Sequence, residues 1–208
     1  WEMAAAVAGR WLRINPFDQP DVTAAKKNTE AMLAHYRRYG RLPPETPLAS
    51  GEGLTLFGQK PVPSLKEGLR GFADQARPGD YVSLQAFLAP DPDLESALKK
   101  LADTLRRRTG LAVTAGFGPR YLHSTGQLHK GDAGRGLFFQ FTSAHSLELA
   151  VPERAEDSLR SDYTFGVLID AQALGDLRAL GEAGRRIIRI HFDRRPAEGL
   201  DLLNDWLG

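Results

Sequence analysis

The sequence predicts an α+β fold: a ferredoxin-like split β-α-β sheet of four antiparallel strands and two helices, preceded by N-terminal helices. Two observations predict it. Between Tyr81 and Phe192 the pattern runs strand, helix, strand, strand, helix, strand. The two helices in that span carry apolar stripes on one side only, as helices lying on one face of a sheet do.

The elements follow in order. Trp1–Leu12 (WEMAAAVAGRWL) is an Ala-rich helical stretch. The chain opens on Trp1, without an initiator Met, and this reads as a boundary inside a longer gene. Ile14–Pro20 is a loop, because Pro16 and Pro20 each disfavour helix at the residue before them. A second helix starts at Pro20, capped by Asp18 or Gln19, and buries Val22, Ala25, Met32, Leu33 and Tyr36 before Gly40 stops it. Arg41–Val62 is rich in proline and glycine and reads as a linker with one short strand at Gly53–Phe57. Ser64–Gln75 is a helix. Strands are expected at Tyr81–Leu88, Leu111–Gly116, Leu137–Thr142 and Arg186–Phe192. Helices are expected at Asp93–Thr109, Ala171–Ala183 and Pro196–Leu207. The bulky Phe138, Phe139 and Phe141 suggest that the N-terminal helices cover the second face of the sheet.

Composition excludes several classes. A hydrophobic share of 42% and a charged share of 25% belong to a folded globular chain. There is no cysteine, hence no disulfide framework and no thiolate metal site. This fits a reducing, cytoplasmic setting. A net charge of +1 makes no electrostatic case for nucleic acid, and no apolar run is long enough for a membrane span.

Two segments could carry chemistry. In Phe17-Asp18-Gln19-Pro20-Asp21-Val22 with Lys26, a loop enters a helix whose free N–H groups and partial positive charge suit an anion. Gln19 can bond a hydroxyl, and Lys26 stands on the second turn. The plainer reading is a capped helix with a solvated lysine. The run Gly116–Gly131 joins two expected strands and holds Arg120, His123, Ser124, Thr125, His129 and Lys130 among glycines. Long polar loops of this kind are functional or disordered. Arg120 and Lys130 could pair an anion beside backbone N–H groups near Ser124–Gly126, with His123 or His129 close by. The alternative is a loop pinned by its own hydrogen bonds. His123 and His129 are not at helical ligand spacing and no third ligand is evident, so no metal is expected. In Tyr163–Asp176, Gln172 and Asp176 share a helical face, most simply one packed on a core. His191 reads as core or edge; His35 and His145 suggest nothing.

The segment Asn15–Pro20, with Val22 and Lys26-Lys27-Asn28, closely resembles the closing segment of phosphoglucose isomerases. Those enzymes carry Phe-Asp-Gln, then a Val and a catalytic Lys at this spacing. Asp21 departs from the pattern, which has Gly there. The run Gly118–Gly131 (GPRYLHSTGQLHKG) and the stretch from Asp80 to about Phe192 resemble the extension of bifunctional transaldolase/phosphoglucose isomerases. Asp132 stands where Gly is expected.

The resemblance implies residues 1–40 as closing helices of an isomerase (SIS-type) domain, 41–77 as linker and helix, and 78–208 as an accessory α+β domain. It implies interconversion of glucose 6-phosphate and fructose 6-phosphate through an enediolate, without metal or other cofactor. Lys26 would assist ring opening and proton movement, and Gln19 would contact the substrate. The family's carboxylate base and ring-opening His lie upstream of the matched segment, so the chain alone is expected to be inactive. The implied partners are a sugar phosphate and the rest of the isomerase/transaldolase chain; a homo-oligomer is compatible with this. The second reading is a non-catalytic interaction or anion-binding module.

Overall fold

In a computed structural model of the protein, residues 1–152 and 161–208 are described. Helix α1 spans Glu2–Leu12 and α2 spans Pro20–Tyr39. Pro20 occupies the first turn of α2, and Gly40 closes it with a φ of 68°. Strands β1 (Ala49–Gly51) and β2 (Leu54–Phe57) form a hairpin. Its Glu52-Gly53 turn has φ values of 54° and 71°, the left-handed pair that a tight hairpin needs. Helix α3 (Leu65–Ala73) is capped by Ser64 Oγ, which accepts from Glu67 N at 3.2 Å. Strand β3 (Tyr81–Phe87), α4 (Pro92–Thr109) and β4 (Ala112–Phe117) follow. A 3₁₀ turn (Arg120–His123) and the short α5 (Gly126–Gly131) lead to β5 (Gly136–Ser143), α6 (Phe165–Glu182), β6 (Arg186–Phe192) and α7 (Pro196–Leu207).

The strands form one six-stranded sheet in the order β1-β2-β6-β5-β3-β4. Strands β6, β5, β3 and β4 run parallel, while β2 is antiparallel to β6 and β1 to β2. The expected four-stranded antiparallel ferredoxin-like sheet with two helices on one face is therefore incorrect. The reason lies in residues 118–135. A parallel arrangement needs a crossover of about a dozen residues or more. The 3₁₀ turn and α5 supply one, carrying the chain from β4 past β3 to the far side, so that β3 pairs with both β4 and β5.

Helices cover both faces. On one, α3, α4 and α7 pack against Leu56, Leu84, Phe139, Phe141 and Ile190. The alternate residues Ser83, Gln85, Phe87, Phe138, Gln140 and Thr142 face the other side, beneath α6 and the 119–131 segment. This face is unusually polar: Ser83, Gln85, Gln140 and Thr142 are all buried. Helix α2 stacks outside α6, so an N-terminal helix does cover this face, but through α6. The close approach occurs at Gly175, where a Cβ would lie 2.8 Å from the backbone nitrogen of Thr29. Trp1 and, on α1, Met3, Val7 and Trp11 are exposed. Among the described residues, no helix is long and apolar enough to cross a membrane.

Candidate functional site

Strand order reverses at β3, whose neighbours β4 and β5 are reached by connections leading in opposite directions. In parallel sheets the crevice outside the carboxyl ends at such a point is the usual ligand site. The 119–131 segment leaves the carboxyl end of β4 beside it. Gly118 lets this segment press onto β3: a Cβ there would lie 2.6 Å from the Phe87 ring.

The segment separates two cavities. The first, of about 220 Å³, lies between α2, the 3₁₀ turn and α6. Lys26, Glu30, His123, Lys130 and Gln172 line it, with Val22, Ala25 and Leu122 supplying apolar wall. Lys26 is exposed at its rim and makes no ion pair among the described residues. Glu30 stands one turn further along α2, on the same face. The second cavity, of about 300 Å³, lies over β3 and β4. Arg120, Ser124, Thr125 and His129 line it, with Ser83 and Thr114 of the strands.

Contacts between α2 and α5 hold the first cavity in place. Asp21 N donates to Gln127 Oε1 at 3.2 Å, and Gln127 Nε2 donates back to Asp21 Oδ2. Asp21, the departure from the isomerase pattern, thus ties the start of α2 to the glycine-rich segment. Behind both cavities lies a buried polar cluster. Lys130 Nζ pairs with Asp176 Oδ1, and Tyr121 OH donates to Asp176 Oδ2 at 2.6 Å. Burial away from water, reinforced by Asp176, raises the Tyr121 pKa well above its ordinary value. Gln85 Nε2 donates to His129 Nδ1 at 3.3 Å. Burial lowers the His129 pKa to about 4, so its ring is neutral at physiological pH.

The predicted site residues therefore divide. Lys26, His123 and Lys130 share the first cavity; Arg120, Ser124, Thr125 and His129 share the second. Gln19 lines neither. It caps α2 only through its carbonyl, which accepts from Thr23 N at 3.2 Å, and its side chain is exposed. The expected anion site joining Arg120, Lys130 and the Ser124–Gly126 backbone does not form as drawn. Lys130 turns inward to Asp176, and the N–H groups of Ser124 and Thr125 both donate to Tyr121 O, at 3.0 and 2.9 Å. Sequence reasoning missed Glu30, Ser83, Thr114 and Tyr121. A signal was present for Ser83: it interrupts the otherwise apolar run Tyr81–Val82 and Leu84, a buried strand's composition. Among the described residues, no group of three or more potential metal ligands converges.

No family model matches the chain, and no curated protein matches it. Among solved structures it is similar to the crystal structure of a hypothetical protein, TT0462, from Thermus thermophilus. The TM-score is 0.53 and the identity 18%, over 69% of this chain and 38% of that one. The chain spans well under half of that protein, and likeness at this identity bears on the fold alone.

Proposed function

We propose that the chain is the C-terminal portion of a cytoplasmic aldose–ketose isomerase, of the bifunctional transaldolase/phosphoglucose isomerase type. It interconverts glucose 6-phosphate and fructose 6-phosphate by acid–base chemistry through an enediolate. The observation that carries this reading is the position of Lys26. The residue that the resemblance makes catalytic lines a cavity with His123, Gln172 and Glu30 and has no ion-pair partner among the described residues. An unpaired ammonium there can stabilise negative charge developing on the substrate oxygens. Gln172 can bond sugar hydroxyls. The exposed apolar side chains of α1 support a surface that the remainder of a longer chain covers.

The test is conversion of fructose 6-phosphate by the longer protein and by its Lys26→Met variant. The substitution should lower kcat by about two to four decades, the scale of a general acid–base group. Unchanged kcat removes Lys26 from the chemistry.

A further inference from the structure

The second cavity, over β3 and β4, is built differently from the first. Its lining contains no carboxylate. Ser83 lines it and is 3% exposed. His129, 4% exposed, also lines the cavity. Because Gln85 donates to Nδ1, the neutral ring carries its proton on Nε2, which is left as a donor.

Ser124 and Thr125 add to this. Their two backbone N–H groups and two hydroxyls, the latter at 3.1 and 3.3 Å, all point at the single carbonyl of Tyr121. A carbonyl oxygen has two lone pairs. Four donors exceed its capacity, so the two hydroxyls can rotate toward a ligand without leaving that carbonyl unsatisfied. Arg120 lines the same cavity, is exposed, and makes no ion pair or hydrogen bond among the described residues. The volume of about 300 Å³ exceeds what a bare oxyanion fills and falls at the small end of ligand pockets.

We infer that this cavity is a second ligand site, distinct from that of Lys26, which takes a small organic phosphate. The Ser83 hydroxyl and His129 Nε2–H reach the anion from the floor, Arg120 pairs with it at the mouth, and Thr114, Ser124 and Thr125 meet the ligand's hydroxyls. Recognition is by donors and one guanidinium, and the absence of lining carboxylates favours an anion over a neutral polyol. This inference stands independently of the isomerase reading, because it uses neither Lys26 nor its cavity.

The test is titration of the chain with inorganic phosphate while the His129 ring resonances are followed by NMR. The expected result is a saturating shift of His129 at millimolar phosphate. Arg120→Ala, an exposed position, should weaken the apparent affinity by about tenfold or more, the scale of a charged hydrogen bond. Ser83→Ala should weaken it as well, and Lys26→Met should leave it unchanged. Sorbitol, a neutral polyol, should neither shift His129 nor compete. The inference is overturned if His129 does not respond, if Arg120→Ala leaves the titration unaltered in a protein that keeps its thermal midpoint, or if Lys26→Met abolishes the response. Turnover by the longer protein that is unchanged in Lys26→Met, with the His129 titration intact, would overturn the isomerase reading alone.

Discussion

Lys130 and Asp176 form an ion pair sealed from water, with side chains 2% and 0% exposed. The pair fastens the segment between the two cavities to α6, and Tyr121 binds the same carboxylate. Removing one partner of a buried pair leaves an uncompensated charge.

Lys130→Met should therefore cost about 3–5 kcal/mol of folding stability. Adding Asp176→Asn removes the stranded charge and keeps an acceptor for Tyr121, so the double variant should be more stable than Lys130→Met alone. Urea midpoints of wild type, both single variants and the double variant decide this. Additive losses would show that the two side chains are not coupled.

The His129 pKa is held at about 4 in the fold, against an ordinary 6.5. The unfolded chain thus binds more protons between these values, and stability should rise with pH across that window. The contribution is complete above the unfolded value and is lost as pH falls from there to about 4. Its full size is about 3 kcal/mol. Unfolding free energies of wild type and His129→Phe, measured from pH 4 to 7, should diverge in slope. Parallel curves would mean that the ring is not desolvated.

Gly175 is the point where α6 admits α2. Gly175→Ala sets a methyl against the backbone of Thr29, which cannot move as a side-chain tip can. Overpacking of this kind costs about 1–3 kcal/mol. Hydrogen exchange should show the added loss of protection concentrated in α2 and its partner face of α6. A variant as stable as wild type, with unaltered exchange, would contradict the close packing.

The chain by itself should not convert fructose 6-phosphate, since by the resemblance the carboxylate base and ring-opening His lie elsewhere. Glu30 and His123 make this a real test, because both stand in the Lys26 cavity. Turnover by the pure chain, lost in Glu30→Gln, would place the base here.

Local grammar was legible wherever neighbours along the chain decide the outcome. Pro20 and Gly40 bound α2, Gly110 stops α4 with a φ of 69°, and Arg186–Phe192 forms the expected strand. The edge of the sheet was less legible. The strand expected at Gly53–Phe57 forms as β2, but its hairpin partner β1 and its pairing with β6 are not foreseen. Helix α6 begins at Phe165 rather than at the expected Ala171, because Thr164 caps it, its Oγ1 accepting from Val167 N at 3.2 Å.

What the sequence by itself determined is the alternation of elements, their caps, and the residue types available to two polar segments. Those follow from propensity, backbone sterics and hydrophobic period, all of which act over a few residues. Only the tertiary structure decided that β4 and β5 lie on opposite sides of β3, in parallel. That choice depends on where the 118–135 crossover packs, and the same strand pattern is compatible with an antiparallel sheet. The crossover then decided the sites. By turning Lys130 inward to Asp176 and setting Arg120 in one cavity wall with Ser83, it divided one run of polar residues between two cavities. Spacing along the chain carries no record of such a division, because it arises from contacts between residues far apart in sequence.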